Sequence, residues 1–404
     1  MGERPSVSAA VKALLDRGVS IPAPWTVDIA DDVDPDRISP TGVVLHPGSR
    51  IAGSRTVLSA GCEIGAEGPA TVVDCRLGPG VELRGGYFHG AVFLAGASMG
   101  LGAHVRAGCL LEEGASGAHT VGLKQTILFP WVTLGSLINF CDALMAGGVS
   151  RHEHSEVGSS YIHFNFTPDG HKATASLFGD VPRGVMLDRS PIFLGGQGGA
   201  VGPVRVGFGS VIGAGSILRA DVGDDELVLS APPDGVRKPV SPRRFKRLGP
   251  LVEHNVTYLS NLAALEAWYV AVRRPFFCAT DLGEEVYAGA LEMLASARAE
   301  RTKRLRALID AVPADTDARR ELHESAEDLL AACSPSEGAL SSAPDALVER
   351  TATAAAAGTS YLETIQALPT DVRAAGTAWL QGIVDDIGTR AAATVPAFWP
   401  DGSS

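Results

Sequence analysis

Aliphatic residues recur every six positions in Val206, Ile212 and Leu218, and Gly207 and Gly213 stand directly behind the first two. A second aliphatic row runs through Val211, Ile217 and Val222. The same aliphatic–glycine pair returns at Ile64–Gly65, Leu77–Gly78, Leu101–Gly102, Val121–Gly122, Val157–Gly158 and Val201–Gly202. A period of six suits neither an amphipathic helix nor a strand that alternates for long. It suits a solenoid of three-sided coils. One aliphatic side chain per hexad points inward and stacks on the coil above, and the small residue beside it lets the backbone turn a corner where a Cβ would clash. The spacing predicts a left-handed parallel β-helix over residues 41–225, with coils of about 18 residues and room for roughly eight to ten of them. A glycine-rich sandwich is the competing fold, and three consecutive hexads argue against it.

Composition divides the chain at the same place. Of the 47 glycines, 39 lie in residues 1–250. Residues 251–404 hold 22 acidic and 12 basic side chains, so most of the net charge of −12 belongs to them. No strict Gly-X-Y period exists, which excludes collagen, and the acidic balance argues against a nucleic-acid partner. The low aromatic content of 6% fits a narrow prism filled by Val, Ile, Leu and Ala. The six cysteines are widely spaced without a C-x-x-C pair, as expected of reduced thiols. No apolar run reaches membrane-spanning length and the N-terminus lacks a signal-peptide profile, so a cytoplasmic location and no membrane contact are expected.

Four segments follow. Residues 1–40 read as a helix (5–17) that caps the first coil, then a connector. Residues 41–225 form the solenoid, interrupted at 135–156 by an irregular loop without hexads. Residues 226–250 are a Pro-rich basic linker. Residues 251–404 form an acidic α-helical domain, with apolar positions Leu259, Leu262, Leu265, Trp268, Tyr269 and Val272 at helical spacing. Further helices are expected over 282–311 and near 316–333, 345–367 and 371–392. This bundle packs on the solenoid or builds an oligomer, and nothing in it resembles a catalytic motif.

The chemistry-bearing residues gather around the break in the period. His152, His154 and His163 occur in Arg151-His-Glu-His-Ser-Glu156 and Tyr161-Ile-His-Phe-Asn-Phe166. A neutral imidazole can act as general base for an amine or hydroxyl attacking a thioester, with Glu153 or Glu156 orienting the ring. Alternatively, three histidines can bind zinc and leave one position open for water. They can also be surface-loop histidines and a packed one. Next comes a polar loop with Asn165, Asp169 and Lys172, where Lys172 can hold a phosphate or carboxylate, although Pro-Asp-Gly is also simply a good turn. The run Gly195-Gly-Gln-Gly-Gly199 has no strand-then-helix context, which rejects a dinucleotide or P-loop site. It is read as a close backbone approach to a ligand or subunit.

These motifs resemble the hexapeptide-repeat acyltransferases, in particular the acetyltransferase half of bifunctional N-acetylglucosamine-1-phosphate uridyltransferases. The residues that carry the resemblance are His154-Ser-Glu-Val-Gly158, Asn165-Phe166 with Asp169-Gly170 and Lys172, Phe178-Gly-Asp180, Val201-Gly-Pro-Val204, and Ala214-Gly-Ser216 with Asp221-Val222, in that order over about 70 residues. Residues 40–225 are also similar to bacterial proteins labelled as related to UDP-N-acetylglucosamine pyrophosphorylase. The chain departs from the family in having Thr167 and Pro168 before Asp-Gly and one lysine where the family has two. Only about 40 residues precede the solenoid, so uridylyl transfer is not expected.

The resemblance implies a homotrimer that moves an acetyl or similar group from acyl-CoA to an amine or hydroxyl of a small-molecule or nucleotide-sugar acceptor. The implied catalytic residues are His154 and Glu156. Asn165, Asp169, Lys172 and His163 would bind substrate, and Gly195, Gly196, Gln197, Gly198 and Arg219 would bind the coenzyme. Acetyl-CoA or another acyl-CoA is the expected co-substrate, and no metal is expected. The alternatives are a metal-dependent lyase or hydrolase of the gamma-carbonic-anhydrase type using His152, His154 and His163, and a non-catalytic trimeric scaffold.

Overall fold

A computed structural model of the chain describes residues 6–230, 235, 237, 245, 247–336, 338, 339 and 342–399. Most of the basic linker lies outside the described residues. Both architectures read from the sequence are present. Residues 28–228 wind about 11 turns of a parallel β-solenoid, and helices fill most of 248–394. The helices are α1 (Ala9–Arg17), α2 (Val181–Gly184), α3 (Leu248–Trp268), α4 (Arg274–Cys278), α5 (Gly283–Ala311), α6 (Asp317–Glu324), α7 (Ala326–Ala332), α8 (Asp345–Ala356), α9 (Tyr361–Gln366) and α10 (Thr370–Thr394). A π-helical turn, Tyr269–Arg273, joins α3 to α4. Among the described residues no helix is long and apolar enough to cross a membrane, and all six cysteines are unpaired.

Each coil has three faces, and every face pairs in parallel with the coils above and below. On the first face Ile51, Val72, Phe88, Val105 and Leu123 stack inward in one column. The second face stacks Leu58, Leu77, Phe93, Leu111, Leu128, Met145, Phe178 and Val206. Val157, Leu194 and Ile212 continue the column of the third. The hexad residues Val206, Ile212 and Leu218 therefore each face the core, one from each side. In the second aliphatic row, Val211 points outward on the third face.

Residues 135–156 are not one irregular loop. A seven-residue strand, Asn139–Met145, pairs with Gly122–Leu128 across the first and second faces. Only 147–155 leave the coil, as a short antiparallel hairpin of Gly148–Ser150 with Glu153–His154. The hexad vanishes here because the corner positions, which need a left-handed backbone, are held by Leu137 (φ 60°) and Asp142 (φ 58°) instead of glycine. Larger excursions follow at 165–175, between first and second faces, and at 179–192, where α2 sits between second and third.

The second face is mostly aliphatic on its outer side as well as its inner one, which explains where the helices go. Its outward row runs Val57, Arg76, Val92, Leu110, Ile127, Leu144 and Leu177 before Arg205. Arg76 is buried and donates to Glu292 of α5 (2.9 Å). The aliphatic members are buried, and α5 and α3 pack against this face. Covering such a side chain stabilises by about 1.5–3 kcal/mol relative to leaving it in water. Polar contacts fix the register at both edges. Arg301 of α5 donates to Asp142 (2.7 Å), both side chains buried. At the other edge Tyr269 donates to Glu112 (2.6 Å), and Arg273 binds Glu113 through both terminal nitrogens (2.7 and 3.2 Å).

Two outcomes test this arrangement. A Cβ on Gly158 would lie 2.4 Å from the amide nitrogen of Gly196 in the next coil, whereas one on Gly382 of α10 meets nothing within 4 Å. Gly158→Ala is expected to lose about 1–3 kcal/mol, and Gly382→Ala to be neutral or stabilising, in denaturant unfolding. Burial, reinforced by Glu113 and opposed by Arg273, pushes the Glu112 carboxyl from its ordinary 4.5 up to about 7. The folded state therefore holds that proton more tightly, so the stability Glu112 contributes is complete below about pH 4.5 and lost as pH rises to about 7. Glu112→Gln keeps an acceptor for Tyr269, and its melting temperature is expected to fall less than the parent's over that window. Identical pH profiles would rule Glu112 out as the group responsible.

Candidate functional site

The hairpin presents His154 beside the third face. Its Nδ1 lies 2.8 Å from the carbonyl oxygen of Arg151. A carbonyl only accepts, so Nδ1 carries a proton, and in the neutral ring the lone pair is on Nε2. The ring is half-buried on its strand. Its orienting partner is thus the Arg151 backbone rather than the carboxylate of Glu153 or Glu156.

The hairpin itself is anchored on several sides. The Arg151 guanidinium donates through Nη1 to the Gly114 carbonyl (3.1 Å), Ser116 Oγ (3.2 Å) and Thr133 Oγ1 (3.1 Å), so it lies across the outward row of the third face. Ser155 donates to the Ala146 carbonyl (2.8 Å) and accepts from the Ile192 amide (2.9 Å). Glu156 stands next in the same outward row, between Thr133 and Phe193. Arg151, Ser116, Thr133 and Glu156 therefore lie together along the third face, beside the hairpin that carries His154.

His163 does not join them. It points inward in the first-face column beside Phe140 (ring centroids 6.0 Å apart) and is 1% exposed. Its Nδ1 donates to the Cys141 carbonyl (2.6 Å), and Nε2 accepts from Ser176 Oγ (2.7 Å), which in turn accepts from the Val204 amide (3.0 Å). Burial lowers its proton affinity, which suits a neutral ring with both nitrogens occupied. A ring so placed touches no substrate and completes no three-histidine metal set with the exposed His152 and the half-buried His154 of the same chain. Among the described residues no group of three or more His, Cys, Asp or Glu is placed to hold a metal.

The other expected residues fall at other corners. Asn165 donates to Asp142 (2.6 Å), the same carboxylate that receives Arg301, so it ties its loop to the interface with the helices. Asp169 and Lys172 lie exposed on that loop, and the Lys172 amide donates to Thr167 Oγ1 (3.1 Å). The Gly195–Gly199 run is a corner between third and first faces. Its Gly195, Gln197 and Gly199 amides donate to Ile212, Ser159 and Ser216 carbonyls (2.8, 2.8 and 3.0 Å), and a Cβ on Gly195 or Gly196 would strike a neighbouring backbone. Close coil stacking accounts for the glycines there. Arg219 is exposed at the edge of a cleft of about 430 Å³ that also contains Asp221 and His254. Burial pushes the Asp221 carboxyl up, but the His254 hydrogen bond (2.8 Å) and Arg205 outweigh it and hold the carboxyl down at about 2. The anchoring role of Arg151 and the pairing of His254 with Asp221 left no trace in the sequence, because their partners lie 18–37 and 33 residues away.

The fold and this surface define a parallel β-solenoid of the hexapeptide-repeat type with a histidine-bearing hairpin. No family model matches the chain. It is similar to the bifunctional protein GlmU of Thermotoga petrophila, with 29% identity over 213 residues, 52% of this chain and 42% of that protein. Bifunctional GlmU of Nocardia farcinica is 30% identical over 190 residues, 47% and 34% of the two chains. GlmU of Mycolicibacterium gilvum is 29% identical over 217 residues, 54% and 38%. The chain thus matches less than half the length of these curated relatives. The resemblance carried by the motifs extends to these proteins. A solved UDP-N-acetylglucosamine acyltransferase from Campylobacter jejuni overlaps 51% of this chain and 67% of its own at 14% identity and a TM-score of 0.15.

Proposed function

We propose that the protein is an acyl-CoA-dependent acyltransferase that moves an acetyl or similar group to an amine or hydroxyl of a sugar- or nucleotide-linked acceptor. The observation that carries this reading is the free Nε2 of His154, held in place by the Nδ1–H bond to Arg151. Nε2 takes the acceptor's proton as its nitrogen or oxygen attacks the thioester carbonyl. The carbon–sulfur bond then breaks, and the departing thiolate takes the proton from the imidazolium. The similarity to GlmU supports acyl transfer over lyase or hydrolase chemistry.

His154 and Lys172 leave the solenoid at different corners of one chain. A homotrimer that sets the hairpin edge of one copy against the next would bring such groups together. The second face is covered by helices, so such contacts would use the other two. These carry exposed outward apolar residues near the site, Ile162, Phe164 and Val201 on the first face and Phe193, Val211 and Leu227 on the third.

His154→Ala is expected to lower thiol release from acetyl-CoA with a panel of amine and hydroxyl acceptors by at least about 100-fold, while His152→Ala retains activity. Unchanged turnover in His154→Ala removes the histidine from the mechanism, and absence of any acyl-CoA-dependent thermal shift favours a scaffold. Light scattering is expected to give three times the chain mass, falling to one in an Ile162→Lys, Phe193→Lys double variant.

A further inference from the structure

A cavity of about 490 Å³ lies between the solenoid corners at Gly78, Ala95 and Gly114 and the helices that cover the second face. That volume falls within the roughly 300–1,000 Å³ of small-molecule sites. Trp131 closes one wall and Phe276 and Tyr361 another, with the latter two rings edge to face at 5.5 Å. The buried Arg273 guanidinium stacks on Tyr361 (3.8 Å to the ring centroid), and the Tyr361 hydroxyl accepts from Trp268 Nε1 (2.9 Å). The aromatic wall is thus rigid.

The charge pattern selects the occupant. Arg273 and Glu113 form a bidentate pair, so the polar wall carries no net charge, and an ion entering would lose water without gaining a counter-charge. The Glu113 oxygens keep further lone pairs for a donor. Aromatic faces on two sides suit a flat ring.

Both walls also hold the hairpin. The Gly114 carbonyl receives Arg151, and Trp131 is two residues from Thr133, which receives it too. On the other side Gln366, at the end of α9, donates to the Val149 carbonyl. A ligand wedged between Trp131 and Tyr361 therefore presses on the two elements that fix the segment bearing His154.

The geometry points to a binding site here for a neutral, flat aromatic ligand with an N–H or O–H donor, whose occupancy braces the 147–155 hairpin. It stands independently of acyl transfer. Indole is the probe. Calorimetry is expected to show saturable 1:1 binding, weakened at least about tenfold in Ala279→Trp and in Thr359→Trp. Both positions are exposed at the mouth of the cavity, so neither substitution disturbs the core. Indole-3-acetate, the same ring with a carboxylate, is expected to bind at least about tenfold more weakly than indole. Hydrogen exchange of residues 148–155 is expected to slow with indole bound. No saturable binding by the parent protein overturns the site. So do unchanged binding in the two variants at unaltered melting temperature, and equal affinity for indole-3-acetate. Binding without slowed hairpin exchange overturns the bracing.

Discussion

Parallel backbone pairing between successive coils is the constraint on which the rest of this molecule depends. Each coil must repeat the path of the one before it, or the inward columns lose contact and the amides of a whole face lose their acceptors. Extra chain can therefore leave only at a corner. The hairpin, the 165–175 loop and the α2 segment all do so, between strands whose registers resume on schedule. The candidate chemistry sits on the hairpin for that reason.

A second constraint follows from the outward residues. Two faces alternate inward apolar and outward mixed residues, whereas the second is mostly aliphatic on its outer side too, with Arg76 paired to Glu292 of α5, and needs a cover. The helical region supplies it and is held by one buried ion pair at one edge and a cluster of Glu112, Glu113, Tyr269 and Arg273 at the other. Such buried charges add little net stability but are costly to break, so their role is to set where the helices dock. The same docking encloses the aromatic-walled cavity beside the hairpin.

The site shows how similar residues acquire different roles from position alone. His154 and His163 are nine residues apart. One lies on a segment that has left the coil and keeps a free nitrogen. The other occupies a slot in the inward column and uses both nitrogens to satisfy buried backbone and hydroxyl groups. The glycines at 195–199 likewise serve coil contact.

Much of the fold was legible because a solenoid writes its geometry into short-range spacing. The hexads announce the inward columns, and the shift to three- and four-residue spacing after Leu251 announces helices. Legibility failed where a corner was built without glycine, as at Leu137 and Asp142, so a regular strand read as a loop. The histidine-rich segment was visible as a departure from the repeat, but its internal partition was not. Alone, the sequence determined the winding of the chain and the region holding its reactive groups, since both follow from neighbours within about one coil. Tertiary structure alone decided which imidazole is free, which face the helices cover, and what the polar residues at its edges bind. Those contacts join residues up to 216 positions apart, and no local pattern encodes them.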